Sequence, residues 1–434
     1  MAKFHKFLSD DIIKSELLKG ATVLMSGSII AQIITLILQP FIRRLFTPGE
    51  FGVYSAYMSL VGIIIVISSL KYDDAIVIPK NDEESVNLLG LSLILNLTIN
   101  IIIFAIVLIA GEKLIHFLNL PENFPPAILL IIPFGALLWS SFGSLNAWLI
   151  RKKKYLSVSF NKLVRRIFEG ISQIGLGKLK NSSGLIFSDI IGQTANVVTV
   201  AFQTKRHGLD FSMISLSKLK FVIKKYADFP KYTLLPALMS SSSFLLPPLF
   251  LNKYFSAETA GYFDLAKLVL SIPLAFITTS FSSVLLQKIS EKYNHNESIK
   301  KDLRPVLFIV LIIAVIEVIT ISIWGEELFS ITFGKEWYYS GSISRIMVWS
   351  FATNFMVSTF SNIFVALRKI KIYSLWQLIY FTAIVCLIFV KHLPFISFLK
   401  IYVILETGCY ILAGLLLASI IVRYEMKVHK GLSE

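Results

Sequence analysis

Lys162, Arg165, Arg166, Glu169 and Gln173 fall at i, i+3, i+4, i+7 and i+11 in the segment SFNKLVRRIFEGISQIG, residues 159–175. On a 3.6-residue helix they form one stripe, and Leu163, Val164, Ile167, Phe168, Ile171 and Ile174 fill the opposite side. A row of ammonium and guanidinium groups is chemistry for an anion, and Arg adds bidentate donors suited to phosphate oxygens. Three cations against one acid leave a positive surplus on this helix. A water-filled cavity accepting an anion explains that surplus economically. The alternative is an amphipathic helix whose cations snorkel to the inner membrane surface.

The setting makes the stripe unusual. The chain has 434 residues, 55% hydrophobic and 16% charged, with a mean hydropathy of +0.72, whereas soluble domains carry about 25% charged residues. Apolar runs of about 18 residues or more recur, each long enough to cross a hydrocarbon core of roughly 30 Å. The expected fold is therefore all-α and polytopic. Twelve spans are marked at 20–42, 51–70, 87–110, 126–149, 155–177, 183–204, 229–252, 258–286, 304–324, 340–366, 373–391 and 395–422, in two six-helix bundles around a central cavity. The domains are then 1–204, a cytoplasmic linker 205–228, and 229–434. Phe4, Phe7, Leu8, Ile12 and Leu17 recur at helical spacing and predict a short interfacial helix before the first span. A helix entering from the cytoplasm near Tyr155 carries Arg165 about 15 Å inward. An unpartnered charge there costs about 3 to 10 kcal/mol.

Placing the N-terminus inside puts most of the 42 Lys and Arg residues on the inner side. It leaves Arg43, Arg44, Lys113, Lys178, Lys180, Lys253, Lys335 and Lys391 outside. Both termini are expected in the cytoplasm. The net charge of +15 is then mainly topology, and no nucleic-acid partner is implied. Cys386 and Cys409 lie in apolar stretches without a CxxC partner and read as packing. No metal or other cofactor is expected, and no P-loop offers direct ATP drive.

Two short echoes suggest internal symmetry. FTPGEFGVY (46–54) and FSAETAGYF (255–263) align Phe46 with Phe255, Gly52 with Gly261 and Tyr54 with Phe263; LIRKKKY (149–155) echoes ALRKIKI (366–372). Six spans per half relate the halves by an axis along the membrane normal.

Other ionisable groups lie inside the proposed spans. Lys267, one turn after Asp264, reads as a neutralised pair or as a second cavity cation. Arg345 is a further cavity cation or snorkels at the outer surface, and Lys400 is similarly shallow. Glu317 and Glu406 lie deep and are candidates for ion or proton coupling, against interhelical hydrogen bonding. Asp189 is shallower, and Asp73 and Asp74 are expected to be solvated. Arg43 and Arg44 flank an outer gate or anchor at the interface. Pro230, Pro236, Pro247 and Pro248 punctuate the seventh span, with Ser240 to Ser243 between them, and predict a bendable helix.

The stretch LLKGATVLMSGSIIAQIITLILQPFIRRLFTPGEFGVYSAYMSLVGIII resembles the first two spans of polysaccharide-export proteins. More closely, it is similar to Wzx-type lipid-linked oligosaccharide flippases of the multidrug/oligosaccharidyl-lipid/polysaccharide exporter superfamily. Gly20, Pro40, Arg43, Phe46, Pro48, Phe51, Gly52 and Tyr54 carry the likeness, with DDAIVIP (73–79) and the basic loop after the fourth span. The resemblance implies transport of undecaprenyl-diphosphate-linked oligosaccharide repeat units to the outer leaflet of the bacterial inner membrane, for O-antigen, lipopolysaccharide or capsule. It implies a cationic lumen between two bundles, contact with membrane lipids, and a polysaccharide polymerase or export complex and a coupling H⁺ or Na⁺ as candidate partners. Two rivals are weighed. A drug or small-cation exporter of the same superfamily should show uncompensated acids in its lumen. A membrane enzyme such as a glycan polymerase needs a sizeable loop, whereas the outer connections near 111–125 and 325–339 are short and lack a carboxylate-pair or His constellation. Trp324, Trp337, Tyr338 and Tyr339 there read as an interfacial belt. The chain is expected to be a carrier and not an enzyme.

Overall fold

A chain this apolar must satisfy its peptide groups internally, and long apolar runs do so as helices. The computed structural model describes residues 16–118, 129–272 and 274–429. Among them are α1 (Glu16–Arg43), α2 (Pro48–Ser68), α3 (Asp82–Leu118), α4 (Ile131–Arg151), α5 (Tyr155–Lys178), α6 (Gly184–Arg206), α7 (Leu216–Lys225) and α8 (Asp228–Tyr232). There follow α9 (Leu234–Tyr254), α10 (Ala257–Leu270), α11 (Thr279–Asn294), α12 (Lys300–Phe333), α13 (Tyr338–Ser358), α14 (Ile363–Ala366), α15 (Ile370–Cys386) and α16 (Phe395–His429).

Each expected span lies over one or more of these helices. Seven described helices are apolar and long enough to cross a membrane: α2, α3, α6, α9, α12, α15 with the turn that follows it, and α16. The protein is an all-α, polytopic membrane protein. α5 fails the same criterion because Lys162, Arg165, Arg166 and Glu169 interrupt it. The expected interfacial residues Phe4, Phe7, Leu8 and Ile12 lie outside the described residues.

The chain divides into two units, Met1–Phe46 with Tyr57–Ser241 and Thr47–Ala56 with Ser242–Glu434. In the first, α5 runs against α6 and α1, and α4 packs on α3 and α6. At one end, Trp148, Leu149, Leu88, Leu89, Val200, Val222 and Tyr226 share a core. The 205–228 connection belongs to that core. Asn87 Nδ2 donates to the Met213 carbonyl at 3.0 Å. Lys225 pairs with Glu84 at 2.5 Å, Tyr226 donates to the same carboxylate at 2.9 Å, and Lys218 pairs with Glu83. The Glu84 carboxylate holds the Lys225 ammonium above the usual lysine range. Acids in the first turn of α3 also complement its macrodipole. There Asp82 takes Arg151 at 3.2 Å and Lys152 at 2.5 Å, tying the basic loop after α4 to the segment that follows DDAIVIP. Asp74 is exposed beside Lys71 at 3.3 Å, whereas Asp73 is half-buried and accepts a hydrogen bond from Ser69.

Three of the expected spans are broken helices. The seventh expected span is split between α8 and α9, with Pro247 and Pro248 inside α9. The eighth passes from α10 through a π turn, Leu274–Thr278, into α11. The tenth breaks between α13 and α14. The two breaks face one another: Thr278 Oγ1 lies 3.1 Å from Thr359 Oγ1, and Asn362 Nδ2 donates to Ser282 Oγ at 2.6 Å. Such side-chain bonds satisfy the polar groups that irregular backbone exposes.

The glycines paired by the sequence echo meet reciprocally. A Cβ on Gly52 would stand 1.6 Å from the Ala257 carbonyl oxygen, and one on Gly261 would stand 1.8 Å from that of Pro48. Each thus packs on the carbonyl four residues before the other. The aligned hydroxyls cap both helices: Thr47 Oγ1 accepts from Glu50 N at 3.3 Å and Ser256 Oγ from Thr259 N at 3.0 Å.

The expected outer loop at 325–339 is not a loop for most of its length. α12 continues to Phe333, followed by a 3-10 turn, Lys335–Trp337. Trp337 is buried, with ring centroids 5.5 Å from Phe51 and 6.1 Å from Tyr262; Trp324, Tyr338 and Tyr339 are exposed as a belt requires. The Trp337 reading fails because spacing does not tell which face of a turn meets neighbouring helices. α3 likewise extends to Leu118, and 119–128 lie outside the described residues.

Candidate functional site

α5 buries its polar stripe and exposes its apolar side. Asn161, Arg165, Glu169 and Gln173 are buried, whereas Ile167, Phe168 and Ile171 are 47%, 50% and 67% exposed. The sequence pattern causes this: the charged face needs partners, and α6 supplies them. Gly192 of α6 lets the helices approach, since a Cβ there would lie 2.8 Å from Glu169 Cβ and 3.0 Å from the Arg165 carbonyl oxygen.

Arg165 is 9% exposed. Its Nη2 donates to Asp189 Oδ1 at 3.1 Å and lies 3.2 Å from Glu169 Oε2. Its guanidinium sits 4.1 Å over the Trp139 ring, a cation–π contact strengthened by desolvation. Arg166 Nη1 reaches the same Glu169 Oε2 at 3.1 Å, with its side chain 32% exposed. Asp189 Oδ2 accepts from Tyr57 OH at 3.1 Å and Trp139 Nε1 at 3.4 Å. Lys162, one turn earlier, is half-buried.

The charge balance therefore differs from the one drawn from α5 alone. Asp189, fully buried on α6, is a second acid, so among the described residues two guanidiniums meet two carboxylates, with Lys162 one turn away on the same stripe. The sequence reading placed Asp189 as a shallow group, did not join it to the α5 stripe, and missed Tyr57 and Trp139. One signal was present: Asp189, Gln193 and Asn196 stand at i, i+4 and i+7, a second polar stripe on a neighbouring span. All three are buried. Among the described residues, neither polar side-chain atom of Asn161, at 0% exposure, has a hydrogen-bonding partner, and nor do Gln193 Nε2 and Asn196 Oδ1. Polar atoms buried this way call for water, so the seam between α5 and α6 is suited to hydration.

The remaining candidates make contacts of their own. Arg43 is buried and donates through Nε to Gln39 Oε1 at 3.0 Å, and Arg44 is exposed. In the second unit, Lys267 Nζ donates to the Phe244 carbonyl at 2.6 Å and stands 3.2 Å from that ring's centroid, with Asp264 acting on it electrostatically. Arg345 pairs with Glu326 at 3.2 Å, and Tyr338 and Ser342 donate to the same carboxylate. Glu406 is buried and accepts from Tyr380 OH at 3.0 Å, at the end of a ladder in which Trp376 stacks on Tyr380 at 5.7 Å. Glu317 is half-buried, and its buried Oε2 has no hydrogen-bonding partner among the described residues.

Residues 41–342, more than half of the chain, match the family described as "Polysaccharide biosynthesis protein". No curated protein matches the sequence. Among solved structures, an inward-facing multidrug resistance transporter of the MATE family and MOP superfamily is similar with a TM-score of 0.74 at 13% identity, over 94% of this chain and 99% of that one. The lipid II flippase MurJ, in an inward closed conformation, gives 0.69 at 15% identity, over 93% and 91%. The MATE transporter VcmN of Vibrio cholerae, in its bent form, gives 0.55 at 15%, over 95% and 97%. Identities this low establish a shared fold.

Proposed function

Because the chain belongs to the polysaccharide biosynthesis protein family, we propose that it carries a lipid-linked saccharide across the membrane and binds the diphosphate of its cargo at the α5 stripe. The observation that carries the reading is the stripe of Lys162, Arg165 and Arg166 on one helical face, with Arg165 buried and the other two half-buried. The likeness of its fold to that of MurJ, a lipid II flippase, supports it. The cargo is an undecaprenyl-diphosphate-linked oligosaccharide repeat unit, moved from the cytoplasmic to the outer leaflet of the bacterial inner membrane for O-antigen or capsule, with both termini of the carrier in the cytoplasm.

A diphosphate and a hydrated glycan cannot cross hydrocarbon unaided, whereas the polyprenyl tail can stay in lipid. Guanidinium and ammonium groups in a hydrated seam offset the loss of water. An inside-negative potential favours outward movement of two negative charges by about 4.6 kcal/mol per 100 mV. Lys267 and Arg345 are secondary contacts, Asp264 balances Lys267, Arg43 and Arg44 flank the outer gate, and Glu317 and Glu406 are the groups to couple H⁺ or Na⁺. The similarity to MATE transporters favours a second reading, a drug or small-cation exporter. Against it, both acids of the α5–α6 cluster are already paired with Arg, which leaves that cluster poorly suited to a cation.

Deleting the gene tests the reading. Surface polysaccharide is expected to disappear and lipid-linked repeat units to accumulate facing the cytoplasm, restored by the wild type and not by Lys162→Ala/Arg166→Ala at equal protein level. Unchanged polysaccharide, with a drug-sensitive phenotype instead, would favour the exporter.

A further inference from the structure

We propose that Asp189 is the internal counterion of the anion site, holding Arg165 in place and weakening its grip on the diphosphate so that the cargo is released. This rests on the anion-binding reading of α5. Asp189 divides its carboxylate between two tasks. Oδ2 is fixed by Tyr57 OH at 3.1 Å and Trp139 Nε1 at 3.4 Å, from α2 and α4. Oδ1, thus aimed, takes Arg165 Nη2 at 3.1 Å. The same Trp139 lies under the guanidinium at 4.1 Å, so ring and carboxylate together fix both the plane and the edge that Arg165 presents.

A carrier must bind its cargo firmly enough to load and loosely enough to unload. Two guanidiniums set among packed helices would hold a diphosphate more strongly than in bulk water, because Coulomb attraction rises as the effective dielectric falls. Glu169 already spans both arginines, at 3.2 Å and 3.1 Å, and Asp189 adds a second negative charge from a separate helix. A phosphate oxygen arriving at Arg165 takes the place of a carboxylate contact, and binding becomes an exchange. Asp189 is a positioning residue: it acts on the cargo through Arg165.

Asp189→Asn separates the two tasks. The carboxamide oxygen still accepts from Tyr57 and Trp139, while the NH₂ group presents no acceptor to Arg165. The protein in lipid nanodiscs is titrated with undecaprenyl diphosphate, using undecaprenyl monophosphate as the comparison and Trp fluorescence as the readout. Asp189→Asn is expected to bind the diphosphate about tenfold tighter, within the usual range for coupled sites. Movement of the lipid in proteoliposomes is expected to slow by a similar factor. A merely structural role would lower both. If Asp189→Asn does not fold, Asp189→Glu and Asp189→Gln, equal in size, carry the same test, and the Gln variant should bind about tenfold tighter than the Glu variant. Unchanged or weaker binding on loss of the charge, in folded protein, overturns the proposal. Arg165→Ala and Arg166→Ala separate the two failures. If neither weakens diphosphate binding, the anion-site reading falls and the counterion role falls with it; if both weaken it while loss of the Asp189 charge tightens nothing, the counterion role alone falls.

Discussion

Arg165→Ala is expected to destabilise the first unit by about 3–5 kcal/mol, the usual cost of breaking a buried ion pair from one side. The truncation strands Asp189, which is fully buried, and deprives Glu169 of one of its two guanidiniums. It also uncovers the Trp139 face. The loss should appear as a lower melting temperature in detergent and as less protein in membranes. Removing both charges together is a different case, because an apolar pair of similar volume often restores the stability that a buried ion pair had supplied. Arg165→Met/Asp189→Leu is therefore expected to recover most of the melting temperature and none of the transport. The non-additivity of the single and double variants measures the pair directly. If the double variant is as unstable as Arg165→Ala, the ion pair is not what the single substitution broke.

Gly52→Val and Gly261→Val should be comparably severe for an unrelated reason. The carbonyl oxygens of Ala257 and Pro48 occupy the space a side chain would need, at 1.6 Å and 1.8 Å from the new Cβ atoms. Backbone cannot rotate away as a side-chain tip can, so the helices must separate, at about 3 kcal/mol or more. Gly49→Ala is the control, since its nearest neighbour would be Thr47 Oγ1 at 3.9 Å. Melting temperatures should fall sharply for the first two and stay near wild type for the third. A small shift for Gly52→Val would mean that α2 and α10 do not cross in contact at this point.

Most of the architecture was legible because hydrophobic runs and breakers are local signals. All twelve spans overlie helices, and the echo that aligned Gly52 with Gly261 marks a real meeting of backbones. The α5 stripe was legible for the same reason, since 3.6-residue periodicity places Lys162, Arg165, Arg166 and Glu169 together. What the sequence hid was partnership between helices. Asp189 looked shallow when measured along its own span, yet the Arg165 side chain reaches it from the neighbouring antiparallel helix. Arg345 was read as a lumen or interface cation with no partner named, and α12 supplies Glu326 within 3.2 Å of it. Trp337 looked like a belt residue, but its fate depended on Phe51, almost three hundred positions away. The breaks in the eighth and tenth spans were hidden too, since hydroxyls of Thr278 and Ser282 on one meet the Thr359 hydroxyl and the Asn362 amide on the other.

On the proposed function, the partly exposed cations of α5 receive a diphosphate during transbilayer movement. Arg166 is the best probe, because its side chain is 32% exposed, making Arg166→Ala gentler on the fold than Arg165→Ala. The measurement is the rate at which a fluorescent undecaprenyl-diphosphate-linked saccharide changes leaflets in proteoliposomes. The account predicts movement that requires the protein and falls about tenfold or more in Arg166→Ala, at unchanged melting temperature. Equal rates for Arg166→Ala, Lys162→Ala and wild type, or no protein-dependent movement at all, would contradict it.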